Sequence, residues 1–267
     1  MKRLIDRKVL RPIFPNAGIR ARYERRMISE IRAMADSVEY WAKAIRRKNS
    51  PRMAEDATPS ERAAKDIKKL SVKWQKHFDD MAEAVARNFI HSQYRATDQA
   101  FRHALLDAGW SIEFEMTPYV RDALNASVAE NVQLIKSIPS QYLSEVQGIV
   151  MRNYASGLDL KSMVKEIQTR YGVTSRRAHF IARDQSSKAS SVVQRARQME
   201  IGITEAVWMH SRASKEPRRT HLAMDGKTYK VEKGMWDSDV QKWIFPSQLI
   251  NCHCQSLTVL PSAFGSR

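Results

Sequence analysis

The sequence has little cysteine, glycine or proline, and each shortage excludes a class of protein. Two cysteines in 267 residues cannot build the disulfide framework of a small secreted domain, so we expect the chain to be made and folded in a reducing cytoplasm. Nine glycines and nine prolines, with 43% hydrophobic residues, exclude a low-complexity chain and favour a folded, helix-rich protein. No apolar run approaches the length of a membrane span, and charges interrupt the N-terminal apolar pairs. The sequence therefore predicts no membrane partner and no signal peptide.

Acidic residues are also scarce. Lysine and arginine total 45 against 29 acids, which gives a formal net charge of +16 and a pI near 10.0. This excess favours a polyanionic partner, either nucleic acid or an acidic protein surface. Residues 1–50 hold 14 lysines and arginines against 5 acids, a net charge of +9. Such asymmetry is typical of a basic arm that contacts a negatively charged partner.

From Tyr23 onward, apolar residues recur every three or four positions, which predicts an amphipathic helix in this arm. Its apolar face, with Met27, Ile31, Val38 and Trp41, is expected to dock on another protein. Its basic residues are expected to contact double-stranded DNA phosphates without reading sequence, or an acidic protein surface. These contact residues are Arg22, Arg25, Arg26, Arg32, Lys43, Arg46, Arg47 and Lys48.

Helical periodicity continues to about residue 202, and the predicted fold is mainly α. Ser60 is the expected N-cap of a long helix that breaks, or turns back as a hairpin, near Ser92. Breaks at Pro139, Gly157 and Gly172 then predict four shorter helices in a compact bundle. The expected organisation is a basic N-terminal helical arm (1–50), a long helix or helical hairpin (60–110), a helical bundle body (115–202) and a small C-terminal α+β module (203–267).

In the C-terminal module the helical period stops and short β-favouring runs appear. Asp225-Gly226 predicts a hairpin-type turn. Residues i and i+2 of an extended segment share one face, so Cys252 and Cys254 would present two thiolates together. His210 and His221 could then complete a tetrahedral zinc site, which would staple a small module. Buried free thiols explain the same cysteines, because unpaired cysteine is among the most buried residue types. The cofactor is therefore either none or a structural zinc ion.

Catalytic chemistry has weaker support. His221, Asp225, Asn251 and His253 include the residue types of a histidine nuclease. Their spacing matches no nuclease signature. Apart from Asp237 and Asp239, no two carboxylates lie near one another in this part of the sequence. We therefore assign no catalytic residue. A metal-dependent nuclease or toxin-like transferase built on the module is the alternative. Three tryptophans of the module could stack on bases, but the formation of its core is the simpler expectation. They are Trp208, Trp236 and Trp243.

Three motifs of the module resemble a known family. They are R-R-T-H at 218–221, M-D-G ending at Gly226, and N-C-H-C at 251–254. Together they resemble the signature of the phage Mu F-like minor head protein family, also called phage head morphogenesis proteins, over roughly residues 115–261. The matching residues are Arg218, Arg219, His221, Asp225, Gly226, Asn251, Cys252 and Cys254. The chain departs from the family pattern at Asp184-Gln185, in the 213–216 loop, and at His253, where arginine is usual.

The resemblance implies a minor capsid protein of a tailed bacteriophage that acts in head morphogenesis and is not an enzyme. It implies a place in the virion, in the head interior or at the portal vertex, after synthesis in the host cytoplasm. The implied partners are the portal protein, the major capsid or scaffold protein, and double-stranded DNA. The implied tasks are head assembly and handling of the genome during packaging and ejection.

Overall fold

The computed structural model describes residues 8–48, 58–156, 159–212 and 216–261. Four long helices lead into a small C-terminal α+β part, so the predicted fold class is confirmed. The helices are α1 (Ala17–Lys48), α2 (Pro59–Asp107), α3 (Pro118–Ser156), α4 (Leu160–Glu200) and α5 (Arg219–Met224). The strands are β1 (Glu205–Met209), β2 (Thr228–Lys230), β3 (Met235–Asp237), β4 (Lys242–Ile244) and β5 (Gln255–Thr258). Within those ranges, none of the helices combines the length and apolar character that crossing a membrane requires.

The first two helices begin where side chains cap their free N–H groups. Asn16 Oδ1 accepts a 3.0 Å hydrogen bond from the Ile19 N–H, so α1 begins six residues before the predicted start at Tyr23. Thr58, and not the predicted Ser60, caps α2. Thr58 Oγ1 accepts from the Glu61 N–H at 3.3 Å, and the Glu61 carboxylate accepts from the Thr58 N–H at 2.8 Å. This reciprocal pair is a capping box, with proline at the first helical position.

The predicted helix breaks at Ser92, Pro139 and Gly172 are wrong. α2 is continuous over 49 residues, α3 contains Pro139, and α4 runs through Gly172. Residues 115–202 therefore hold two long helices and not four. A proline inside a helix costs about 3 kcal/mol. The residues around Pro139 offset this cost by burial, since Ile138 and Tyr142 are at most 1% exposed. The remaining predicted break, at Gly157, lies outside the described residues, as does the linker 49–57.

Contacts group the chain into two compact units that cut across the predicted sequence ranges. Unit 1 comprises residues 1–20, 88–128 and 183–267, and unit 2 comprises residues 21–87 and 129–182. Each of α1 to α4 therefore contributes residues to both units. The division into four sequence ranges stays a prediction.

The apolar face of α1 lies in the core of unit 2. Met27, Ile31 and Val38 are at most 1% exposed, so the expectation that they dock on another protein is wrong. The stripe that predicted an amphipathic helix is instead covered by the chain's own core. Trp41 differs, because 48% of it is exposed. Within the same unit, the buried Tyr23 hydroxyl hydrogen-bonds to Asn131 Oδ1 at 3.2 Å.

Unit 1 contains the sheets. β1 lies between β2 and β5, antiparallel to both, while β3 and β4 form a separate hairpin. The extended residues 8–10 pair antiparallel with the chain at the end of β5, where the Leu10 N–H donates to Thr258 O and the Leu260 N–H donates to Lys8 O, both at 2.9 Å. Trp208, Phe101 and Leu105 lie in the unit's apolar core, and all three are fully buried.

The Asp225-Gly226 turn has a different role from the one predicted. Gly226 has a positive φ of 73°, but it joins α5 to β2 and does not connect two strands. Its N–H donates to Trp208 O at 2.8 Å. The turn therefore fixes the end of α5 against β1, and this contact sets the position of the short helix that carries His221.

Candidate metal centre

His221, Cys252 and Cys254 lie together in the interior of unit 1. His221 Nδ1 is 3.4 Å from Cys252 Sγ and 3.6 Å from Cys254 Sγ. The three ligand atoms all lie within 4.8 Å of one another, and each residue is at most 3% exposed. The structure thus brings together three of the four residues predicted as zinc ligands. Whether they hold an ion stays a prediction.

Local structure explains how both sulfurs reach one histidine. Asn251 adopts a left-handed conformation with φ of 58°, and the Cys252 N–H closes the turn on Leu249 O at 3.0 Å. Cys254 O accepts a 2.8 Å hydrogen bond from Ser247 Oγ. From this turn the chain extends into β5, so the i, i+2 spacing directs both thiols toward His221 on α5.

Asp237, at the end of β3, is a member of the site that sequence reasoning missed. Its side chain is fully buried, and its Oδ2 lies 3.3 Å from His221 Nε2. Asp237 also accepts hydrogen bonds from Thr220 Oγ1 at 3.1 Å and from the Asp239 N–H at 2.9 Å. His221 Nε2 has no hydrogen bond of good geometry in the described part of the chain, although the carboxylate is within ion-pair distance. In the sequence Asp237 stood out only as one of a carboxylate pair with Asp239, and no pattern linked it to His221.

The two thiols shift each other's pKa in opposite directions. The hydrogen bond with Cys254 lowers the pKa of Cys252 to about 4, against burial, which raises it, and the nearby His221 lowers it further. The same hydrogen bond, together with burial, raises the pKa of Cys254. The pair therefore favours deprotonation of Cys252, and the thiolate is the form of cysteine that binds metals.

A cavity of about 200 Å³ adjoins the three residues. His210 lies in its wall but outside the group of three ligand atoms. The His210 N–H donates to Asp225 Oδ1 at 2.8 Å, and its Nδ1 accepts from the Arg212 N–H at 3.1 Å. The rest of the wall is formed by Ser211, Glu216, Pro217, Arg218, Asn251 and His253. Part of the preceding loop, residues 213–215, lies outside the described ranges.

Several family-motif residues hold the segments around the cluster. Arg218 Nη2 donates to Ile250 O at 2.9 Å, and Asp225 binds the His210 backbone as above. Asn251 Oδ1 accepts from Arg183 at 2.6 Å, and the Asn251 N–H donates to Asp184 Oδ1 at 2.6 Å. Arg219 is exposed.

His253, at which the chain departs from the family pattern, also contacts neighbouring polar side chains. Its Nδ1 lies 3.1 Å from Ser187 Oγ, and its Nε2 lies 3.2 Å from Asn251 Oδ1. Burial lowers the pKa of His253, and the positive charge of Arg183 lowers it further. A neutral imidazole is therefore favoured where the family usually has arginine.

The predicted DNA-contact residues of α1 differ in how available they are. Arg22 and Arg25 are exposed. Arg26 is paired with Glu30 at 2.8 Å, and Lys43 with Glu39 at 2.5 Å. Arg32 donates to the Tyr171 hydroxyl at 3.4 Å, while the Arg46 guanidinium lies 4.7 Å from the centre of the Tyr154 ring. Arg47 is exposed, and the side chain of Lys48 lies outside the described residues.

The three tryptophans of the module divide into two kinds. Trp208 is fully buried and packs edge-on against His221 with ring centroids 5.3 Å apart, so the expectation of a core residue is right for it. Trp236 and Trp243 face each other across the β3–β4 hairpin but are 51% and 45% exposed. For these two the expectation is wrong, because the hairpin presents both rings at the surface.

Comparison with known proteins finds a family model that matches part of the chain. Residues 144–257 match the model of the family described as Phage Mu protein F like protein. An uncharacterized protein of Haemophilus influenzae (strain ATCC 51907 / DSM 11121 / KW20 / Rd) is 33% identical over 203 residues, which are 74% of this chain and 44% of that protein. The chain thus spans less than half the length of this relative. No solved structure matches. The resemblance seen in the motifs is confirmed, since the match to the Phage Mu protein F like family covers residues 144–257, which include all three motifs.

Proposed function

We propose that this protein is a minor head protein of a tailed bacteriophage that acts in head morphogenesis at the portal vertex. The observation that carries the proposal is the family match over residues 144–257, which spans the R-R-T-H and N-C-H-C motifs. In the structure these motifs form one buried cluster and its supporting contacts. The proposal assigns no catalytic residue, and the partners are the portal protein and the major capsid or scaffold protein.

The proposal includes non-specific contact with the packaged double-stranded DNA. The net charge of +16 supports a polyanionic partner. The exposed Arg22 and Arg25 place positive charge at the surface of a helix whose other face is already buried in unit 2. Because phosphate contacts carry no sequence information by themselves, the expected binding lacks base preference. Such binding suits a protein that handles the genome during packaging and ejection.

Quantitative mass spectrometry of purified particles tests the proposal. We expect the protein in mature heads, in few copies relative to the major capsid protein, and cross-linked to the portal protein after treatment with a lysine-reactive reagent. Proheads assembled without the portal protein should lack it. Its absence from both mature heads and proheads would contradict the proposal, and uniform cross-linking to the major capsid protein alone would contradict the portal location.

A further inference from the structure

We infer that His221, Cys252 and Cys254 bind one Zn²⁺ ion whose fourth coordination position opens to the adjoining cavity and is filled by water. This inference rests on the geometry of the site and is independent of the proposed function.

The donor set and its spacing fit zinc. Two thiolates and an imidazole are ligands that zinc prefers, and they are softer than those of magnesium or calcium. In a tetrahedral site with Zn–S near 2.3 Å and Zn–N near 2.05 Å, the sulfur and nitrogen of two ligands are about 3.6 Å apart. The observed distances from His221 Nδ1 are 3.4 Å to Cys252 Sγ and 3.6 Å to Cys254 Sγ. Both nitrogen–sulfur distances therefore match those of zinc ligands, and all three ligand atoms lie within 4.8 Å of one another.

Asp237 supplies the second observation. A metal at His221 Nδ1 requires the proton on Nε2, and a zinc-bound histidine usually donates that proton to a carboxylate or carbonyl. Asp237 Oδ2 lies 3.3 Å from Nε2. Nε2 has no well-formed hydrogen bond among the described residues, and a small rotation of the imidazole brings it onto the carboxylate. Asp237 is itself held by hydrogen bonds from Thr220 and from the Asp239 N–H, so the carboxylate has a fixed position from which it can keep the proton of His221 on Nε2 and leave Nδ1 to the metal.

The cavity sets the coordination number. The three ligands leave one corner of a tetrahedron, and the polar cavity next to them has a volume of about 200 Å³, which is enough for water. His210, the fourth ligand expected from the sequence, lies in the cavity wall outside the group of three. Its Nδ1 is engaged by the Arg212 N–H. Zinc sites with three protein ligands and a water are those that stay open to exogenous molecules.

Metal analysis of the full-length protein tests the inference. Elemental analysis should find one zinc per chain, and the Co²⁺-substituted protein should show thiolate-to-cobalt charge-transfer absorption with tetrahedral d–d bands. Adding azide should shift those bands, because an open position accepts an exogenous anion. Cys252→Ser, Cys254→Ser and His221→Gln should each lose stoichiometric metal, whereas His210→Ala should keep it. Asp237→Asn should keep the same Co²⁺ spectrum with an affinity about 10- to 100-fold weaker.

Removing the metal with a chelator is the control for variants that fail to fold. Removing zinc from the unmodified protein should lower its unfolding temperature, and adding Zn²⁺ should restore it. Absence of zinc together with no thiolate-to-cobalt absorption would overturn the inference in favour of packed thiols. Loss of metal in His210→Ala, or a Co²⁺ spectrum that azide leaves unchanged, would overturn the open fourth position. None of these outcomes depends on the presence of the protein in phage heads.

Discussion

Asp184 on α4 accepts a 2.6 Å hydrogen bond from the backbone N–H of Asn251, the residue that precedes Cys252. The neighbouring Arg183 donates to the Asn251 side chain, also at 2.6 Å. Two consecutive helical residues therefore hold both the backbone and the side chain of one left-handed turn. Asp184 is 5% exposed and is also paired with Lys188 at 3.1 Å. The position of the cysteines thus depends on α4 as well as on the C-terminal strands.

Replacing Asp184 tests this dependence. Asp184→Ala removes the acceptor and leaves the Asn251 N–H without a partner, so we expect a loss of about 1–3 kcal/mol in the free energy of unfolding. Asp184→Asn keeps an acceptor oxygen and is the matched control, with a smaller loss. Urea denaturation followed by circular dichroism measures both. Equal losses for the two variants would show that the acceptor at this position is unimportant.

Gly234 is the second position where the structure predicts a large effect. Its φ is 84°, and a Cβ placed there would lie 2.4 Å from Ile244 O, a backbone atom of the paired strand β4. Gly234→Ala should therefore destabilise the protein through both strain and collision, whereas the left-handed conformation alone costs about 1–2 kcal/mol.

Gly226→Ala is the control for Gly234→Ala. Gly226 has φ of 73°, and nothing lies within 4 Å of the position that a Cβ would take there, so only the conformational cost applies. Thermal unfolding of the two variants should show a clearly larger decrease for Gly234→Ala. Similar decreases would mean that the β3–β4 hairpin relaxes to accommodate the methyl group.

Arg197 on α4 is a buried arginine. Its side chain is 1% exposed, and its Nε lies 2.6 Å from Asp98 Oδ1. It also pairs with Glu200 and donates to Tyr94 and to Glu115 O. Arg197→Met would remove the buried partner of Asp98 Oδ1 and leave that carboxylate only its pair with Arg102 at 3.1 Å, so the expected loss is about 3 kcal/mol, the lower end for a broken buried ion pair.

Arg176→Met is the matched control for Arg197, because Arg176 is an exposed arginine on the same helix. Its effect should stay within about 0.5 kcal/mol. Guanidinium denaturation curves of the two variants give the comparison. A small loss for Arg197→Met would show that the pair with Arg102 is sufficient for Asp98.

The spacing of apolar residues correctly predicted that this chain is helical. Residues that usually break helices, however, led to wrong predictions of where the helices end. The stripe that includes Met27, Ile31 and Val38 marked α1 correctly, because burial of one face requires that spacing. Pro139 and Gly172 looked like helix ends, yet both lie inside continuous helices. The stabilisation from burial in the tertiary structure exceeded the helix-breaking cost of these two residues. That stabilisation depends on residues distant in sequence, so it cannot be predicted from the residues next to Pro139 or Gly172.

In the candidate site, too, contacts between residues close in sequence could be predicted, whereas contacts between distant residues could not. The i, i+2 spacing of Cys252 and Cys254 is local and predicted a shared direction for the thiols. Asp237 reaches His221 only because β3 packs beside α5, and no sequence motif joins the two residues. His210 was expected as a ligand on residue type alone, and its backbone and ring are engaged with Asp225 and Arg212 instead.

The last prediction concerns DNA binding by α1. If Arg22 and Arg25 each neutralise a phosphate, each releases condensed counterions, and log affinity falls against log salt with a slope of about −0.9 per contact. The double variant Arg22→Gln, Arg25→Gln should therefore bind double-stranded DNA more weakly at low salt. Its slope should be shallower by about 1.8. Fluorescence anisotropy over a range of salt concentrations measures this quantity.

A control of equal charge separates phosphate contact from general attraction. Lys65 and Lys68 are exposed on α2, and Lys65→Gln, Lys68→Gln removes the same two positive charges. We expect the control to keep the slope of the unmodified protein, because distant exposed charges are largely screened beyond a Debye length of about 10 Å. Two duplexes of unrelated sequence should give the same result, since phosphate contacts carry no base information. Equal changes in the two double variants would contradict a specific role for α1. Unchanged DNA binding together with loss of incorporation into heads would assign Arg22 and Arg25 to an acidic surface of the portal protein instead.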